Sequence, residues 1–339
     1  MNCPRSLALV TCLGFATLSH AAEDHVVYAA REGPGGGKHI VLLAGDEEYR
    51  SEEALPMLGK ILSQRHGFKC TVLFSLAEDG TIDPNAGGSL SHPEALDSAD
   101  AIVMLLRFRH WNDEASKKFE AAMNRGIPII GLRTSTHAFN YPKDSAFAKW
   151  SWNNKEGGWG RAVLGETWVS HWGKHKVEAC LGIVEPAARD HPILRGLEQV
   201  FANSDVYEAA PPADAKILMR GQVLTGMTAD TAPANYKKKT KAGVEQPVNE
   251  PMMPVLWTRE VKNDAGAMNK IVCSTMGAAT DLEDEDSRRL VVNSVFWALG
   301  LEVPEKADVT CVDPFTATMY GFKGFKPGVK PADLALQAK

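Results

Sequence analysis

The sequence predicts an α/β fold: a doubly wound, mostly parallel sheet with helices on both faces, a Trp-rich irregular insertion and a C-terminal tail. Three observations predict it. Short apolar runs alternate with longer segments whose apolar residues recur at helical spacing. The short runs are apolar throughout, as strands covered on both faces must be. The connections between them are short, which suits strand–helix–strand units in one sheet.

The elements follow in order. Residues 22–37 form a polar leader ending in Gly33-Pro-Gly-Gly-Gly37, a composition that predicts a flexible spacer. Ile40 to Ala44 is the first strand. Glu52 to Arg65 carries Leu55, Leu58, Ile61 and Leu62 on one helical face and stops at Gly67. Thr71 to Phe74 is the second strand, and residues 77–92, rich in Asp, Gly, Asn and Ser, form a loop. Ala101 to Leu106 is the third strand. Asn112 caps a helix that runs to Asn124, with Gly126 beyond its end. Ile127 to Leu132 is the fourth strand. Residues 150–175 hold Trp150, Trp152, Trp159, Trp168 and Trp172 among Gly and Asn, without periodicity. Strands resume at Lys176 to Val184, Ala215 to Met219, Val255 to Thr258 and Lys270 to Ser274. A last helix, Glu285 to Leu299, presents Leu290, Val291, Val295 and Ala298 on one face and ends at Gly300. No internal repeat is present. The reading divides the chain into a signal peptide (1–21), a leader (22–37), an α/β domain (38–303) and a tail (304–339) that wraps the surface.

The N-terminus reads as an export signal. Arg5 gives the positive start, Leu7 to Leu18 the apolar core and Ser19-His20-Ala21 the small-residue cleavage site. The expected product is periplasmic or extracellular, of about 318 residues. The apolar run is too short for a membrane span and nothing later replaces it. The net charge of −5 argues against a nucleic-acid surface. The one basic run, Lys237-Lys-Lys-Thr-Lys241, sits in a solvated loop. Cys70, Cys180, Cys273 and Cys311 remain after cleavage, an even number that permits disulfides on export. Three of them lie in apolar strand runs, where Cys acts as a small hydrophobe. No CxxC spacing supports a thiolate zinc site.

The most informative stretch is Ile127-Pro-Ile-Ile-Gly-Leu-Arg133-Thr-Ser-Thr-His137-Ala-Phe-Asn-Tyr-Pro142. A strand enters a Gly-containing turn and then polar residues that open a helix, the layout of a nucleophile elbow. Enzymes using this turn put Cys or Ser at its tip. Here the tip is Arg133, with five donors and no nucleophilic atom. Function must come from a polar site without a covalent triad.

Ligands of open parallel sheets bind outside the carboxyl ends of the strands. Those ends are followed by Gly45-Asp46-Glu47-Glu48-Tyr49-Arg50, Arg107-Phe108-Arg109-His110-Trp111, the residues from Arg133 to His137, and Met276 to Asp281. Arg107, Arg109 and Arg133 are expected either to hold substrate oxygens or to pair with Asp46, Glu47 and Glu48 as a structural network. His137 or His110 would move a proton, with Asp46 or Glu48 as partner carboxylate. A capping or packing role is the alternative for His137. Ser135 is a substrate contact or a cap of the following helix; a Ser–His–Asp hydrolase would need the absent Gly-x-Ser-x-Gly turn. Trp111, Trp168 and His171 complete the substrate-binding set. The Trp-rich segment either stacks on sugar rings or anchors a loop over the sheet. His171-Trp-Gly-Lys-His175 places two imidazoles on one face of an extended segment. No cofactor is required, and a divalent metal on His171 and His175 stays open. His191, before Pro192, reads as structural.

Taken together, the first strand with Gly45-Asp46, the turn from Ile129 to Phe139, and Asp190-His-Pro-Ile-Leu-Arg-Gly-Leu197 resemble the trehalose-utilisation (ThuA-like) family. Pro254-Val-Leu-Trp-Thr-Arg259 and the segment Arg288 to Gly300 extend the resemblance over residues 38–303. It implies the flavodoxin-like fold of the class I glutamine-amidotransferase-like superfamily. It also implies a role in catabolism of a disaccharide, 3-keto-sugar or related glycoside. Amidotransferases of the superfamily need Cys at the elbow and a later His. This chain has Arg133 at the tip and Gly277-Ala278 where family members carry Gly-His, which excludes glutamine hydrolysis. The partner expected is a small-molecule carbohydrate, with self-association left open. A non-catalytic carbohydrate-binding protein is the competing expectation.

Overall fold

A computed structural model describes residues 24–337. The export signal expected over residues 1–21 lies outside the described residues. The described residues open with β1 (His25–Tyr28), β2 (His39–Gly45), α1 (Ser51–His66), β3 (Lys69–Phe74), β4 (Ala101–Leu106), α2 (Asp113–Asn124) and β5 (Ile129–Leu132). After the insertion come β6 (Cys180–Val184), β7 (Val200–Ala202) and β8 (Lys216–Val223). A separate hairpin pairs β9 (Lys237–Lys239) with β10 (Glu245–Pro247). Then follow β11 (Met253–Lys262), β12 (Met268–Ser274) and α3 (Glu285–Ala298).

Among the described residues, ten strands share one sheet in the order β1-β3-β2-β4-β5-β12-β11-β8-β6-β7. The centre from β3 to β12 is parallel, as the strand–helix alternation requires. Beyond β12 the sheet continues through antiparallel partners, and β1 adds an antiparallel edge beside β3. Alternation along β2 explains the two covered faces. Ile40, Leu42 and Ala44 pack with Leu55, Leu58 and Leu62 of α1 and Val292, Val295 and Phe296 of α3. Val41 and Leu43 pack with Ala115, Phe119 and Ala122 of α2 and with Trp150 and Trp159.

The helix boundaries follow their caps. The Asn112 side chain accepts from the Ala115 N–H, and Asp284 accepts from the Ser287 N–H. Gly67 ends α1 at φ 76°, a conformation open to glycine at little cost.

Four expectations need correction. The leader is not a spacer, because β1 pairs with β3 and the glycines lie against the end of α1. The Gly35 N–H donates to the His66 carbonyl at 2.7 Å, and a Cβ on Gly33 would come within 2.7 Å of the His66 backbone. Glycine serves close approach there. The elbow is followed by a 3₁₀ turn, Arg133–His137, rather than a helix. Ser135 therefore caps nothing: its hydroxyl donates to the Met104 carbonyl and accepts from the Leu106 N–H, tying the turn to β4. The tail is partly core, with Ala307, Val309 and Tyr320 buried.

Among the described residues the four cysteines are free; Cys70, Cys180 and Cys273 are buried in the apolar packing. No helix among the described residues is long and apolar enough to cross a membrane.

Candidate functional site

The carboxyl ends of β2, β4, β5 and β12 do bring their following residues to one rim. Arg133 keeps the elbow geometry, with φ +43°. Its N–H donates to the Met276 carbonyl across to the β12 loop. The guanidinium, however, is fully buried. One terminal nitrogen donates to the carbonyls of Asp205 (2.6 Å) and Thr275 (2.8 Å). The other donates to Asp205 Oδ1 (2.9 Å) and to the Tyr49 hydroxyl (3.2 Å). The guanidinium carbon lies 3.7 Å from the Tyr207 ring centroid and 4.8 Å from that of Tyr49. Arg133 thus forms the floor of the rim. The expected pairing with Asp46 or Glu48 is replaced by Asp205, and its burial leaves no surface to hold a substrate.

Asp205 organises the layer above. His171 Nδ1 stands 2.8 Å from its Oδ2, and His175 Nδ1 stands 3.2 Å from its Oδ1. His175 Nε2 faces Glu48 Oε1 at 3.2 Å. Gly173 makes this possible, because a Cβ there would lie 3.2 Å from the Asp205 Cβ. The N–H groups of Trp172 and Gly173 both donate to the Val206 carbonyl, which pins the turn beside Asp205. Both partners of His175 are carboxylates that only accept, so both ring nitrogens donate and the ring is an imidazolium. Hydrogen bonds donated to Asp205 and Glu48 raise it to about 9 against some burial. Burial alone would push Asp205 up, but Arg133, His171 and His175 outweigh it and hold the carboxyl well below its usual range. Glu48 is likewise lowered despite burial, by His175 and Arg107.

Other expected site residues are placed differently. Arg107 binds Glu47 and lies near Glu48, half-buried on the rim. Arg109 is buried against Glu47 at 3.0 Å, the Pro84 carbonyl and the Arg107 carbonyl, the structural network that was one of its two readings. Asp46 is enclosed, accepting from the N–H groups of Glu48 and Tyr49 and from the Thr134 hydroxyl. Burial, aided by Glu47, pushes its carboxyl up to about 6. It shapes the loop after β2 and does not face the His171–His175 turn.

His137 is 3 % exposed and sits among Phe108, Trp168 and Tyr207. Burial, with Arg107 and Arg133 adding to it, drives it well below its ordinary value. A ring so placed stays neutral, so the acid/base reading near neutral pH does not fit and packing does. His110 is exposed and lies over Gly87. Trp111 is a core residue packed on Phe119 and Phe139, not a platform. Trp168 is half-buried between Trp152, His137 and His171, so it does border the cluster. Trp150, Trp159 and Trp172 are buried anchors of the loop over the sheet, the second of the segment's two readings. His191 caps its turn, accepting from the Ile193 N–H.

Sequence reasoning missed Asp205, Tyr49, Tyr207 and the tail residues Tyr320 and Phe322. Tyr320 stacks on Tyr49 at 5.1 Å and lies 5.5 Å from His175. Phe322 meets the Arg107 guanidinium at 5.0 Å. The only usable signal was the strand–polar–aromatic order Phe201-Ala-Asn-Ser-Asp-Val-Tyr207, which parallels the other strand ends.

A family model described as trehalose utilisation (ThuA) matches residues 40–298. Among solved structures, a ThuA-like protein from Bacteroides uniformis is 17% identical, with 80% of this chain and 95% of that chain covered at a TM-score of 0.48. A ThuA-like protein from Parabacteroides merdae is 12% identical, with 81% and 96% covered at a TM-score of 0.42. No protein of curated function matches.

Proposed function

The chain belongs to the trehalose-utilisation (ThuA) family, of glutamine-amidotransferase-like fold and carbohydrate-related role, and on that premise we propose that it processes a disaccharide, a 3-keto-sugar or a related glycoside by acid/base chemistry without a covalent nucleophile. The observation that carries the proposal is the linked series Glu48–His175–Asp205–His171 beside Trp168. Asp205 and Glu48 hold both imidazoles in place. His171, whose side chain is 34% exposed, presents its outer edge next to the half-buried indole of Trp168. A sugar ring stacked on that indole would bring a hydroxyl or keto group within reach of the imidazole pair. Arg107, on the same rim beside Glu47 and Glu48, would take a sugar oxygen or a developing oxyanion. Arg133 at the elbow supplies no nucleophile, which leaves proton transfer as the chemistry available to these side chains. The N-terminal composition supports the further proposal of an exported, periplasmic or extracellular protein.

The test is turnover of 3-keto-glycosides and unmodified disaccharides, followed by NMR with the full chain. Product formation is expected, and His171→Gln should slow it by about 10²–10⁴-fold, the usual share of a positioned acid or base. Sugar binding without product, unaffected by His171→Gln, would instead make the chain a carbohydrate-binding protein that retains the rim and lacks the chemistry.

A further inference from the structure

The same turn carries the donor set of a metal centre, and we propose that His171, His175 and Asp205 bind one divalent transition-metal ion of the zinc, iron(II) or manganese class. One donor atom from each residue lies within 4.8 Å of the others. The two imidazole nitrogens stand 2.8 and 3.2 Å from the Asp205 oxygens. Ligand atoms about 2.0–2.1 Å from a tetrahedral ion are separated by about 3.3 Å, so little movement is needed to admit one.

The rings are 4.6 Å apart and inclined at 46°, so they are tilted rather than stacked face to face. His25 and His92, which also sit with an Asp, differ on this point. Their rings are stacked at 3.9 Å and 4°, which keeps the two ring planes parallel. Two nitrogens and one carboxylate favour a transition metal over calcium or magnesium, which take oxygen ligands.

The surroundings are those of a supported metal site. With Nδ1 of His175 on the ion, its Nε2–H donates to Glu48, the carboxylate–histidine–metal arrangement that fixes ring and tautomer. Arg133 fixes Asp205 through both its carbonyl and its carboxylate. Asp205 is buried, while the side chains of His171 and His175 are 34% and 26% exposed, so the outer side is open to water or a sugar oxygen. The inference concerns binding and stands whether or not a sugar is turned over. An ion held by these residues would supply the proton-handling role in place of His171, by making a bound water more acidic.

The experiment uses the full chain made without a polyhistidine tag, stripped with a chelator and dialysed. Zn²⁺ is titrated by calorimetry, and Co²⁺ is followed by its visible absorption. One saturable equivalent per chain is expected, with Co²⁺ bands of a low-coordinate N/O site. His171→Ala and His175→Ala should each weaken Zn²⁺ at least about tenfold, and Glu48→Gln, which removes no ligand, by about 10–100-fold. Absence of a saturable equivalent overturns the proposal. So does Zn²⁺ affinity unchanged in the His171→Ala/His175→Ala double variant, which would place the ion elsewhere. Sugar turnover undiminished in the stripped protein would show that the reaction runs on the side chains without the ion, and would leave the binding result standing.

Discussion

At the residue scale, the guanidinium of Arg133 is held between two phenol rings, and its charge is met by one buried carboxylate, that of Asp205. Both side chains are fully buried, so neither charge has water to fall back on. Removing one member of a buried pair costs up to about 3–5 kcal/mol when the other is left unpaired, and here His171 and His175 still meet Asp205, so the loss falls toward the lower end. Arg133→Ala is therefore expected to lower the denaturant midpoint strongly while urea unfolding stays cooperative. A change within about 0.5 kcal/mol would mean that water enters and replaces the guanidinium. Arg133→Cys should not yield a glutaminase, since Ala278 supplies no imidazole to activate the thiol. The elbow was legible because Gly131-Leu-Arg133 closes an apolar strand. Its partner was not, since Asp205 lies 72 residues away, across an aperiodic stretch, and only packing unites them.

At the scale of elements, what could be read was what repeats. α1 was visible because Leu55, Leu58, Ile61 and Leu62 recur at helical spacing, and β2 to β5 because their centres are mostly apolar runs. β1 and β7 escaped, having four and three residues, too few for a period to register. Within α1 the sequence also hid Glu52, an acid in a first helical turn that would ordinarily be solvated. It is enclosed, and burial above all pushes its carboxyl up to about 8 from 4.5. A folded-state value above the unfolded one means that the native protein binds the extra proton between those two pH values. Stability from this group therefore falls as pH rises from about 4.5 to about 8, and the cost is complete above that. Glu52→Gln removes the ionisation but keeps the shape. Its melting temperature should match wild type near pH 4.5 and exceed it by about a few degrees at pH 9. A difference that does not grow with pH would show that the carboxylate ionises inside a compensating partner shell.

At the scale of the whole molecule, the rim is assembled from both ends of the chain, and its last wall comes from the segment that looked most dispensable. After α3 the chain returns along α1, where Lys60 binds Asp313 at 2.6 Å. It then crosses the loop after β2. The Arg50 guanidinium donates to the carbonyls of Met319 and Gly321, and the Gly321 N–H donates to the Glu48 carbonyl at 2.7 Å. These bonds seat Tyr320 on Tyr49 and beside His175, so the tail joins core to site. Ending the chain after Val303 should therefore do two things at once. It should lower the unfolding midpoint, because the apolar surface beneath Ala307, Val309 and Tyr320 returns to water at about 25 cal/mol per Å². It should also strip one side from His175. Phe322→Ala separates the two effects. That ring is 57% exposed, and its contact with Arg107 is worth about 0.5–1 kcal/mol at most. The melting temperature should hardly move, while sugar affinity measured by calorimetry falls if the tail borders the bound ring. If Phe322→Ala leaves affinity unchanged and the truncated chain melts as the full one does, the tail is a passive covering, and the rim ends at Glu48.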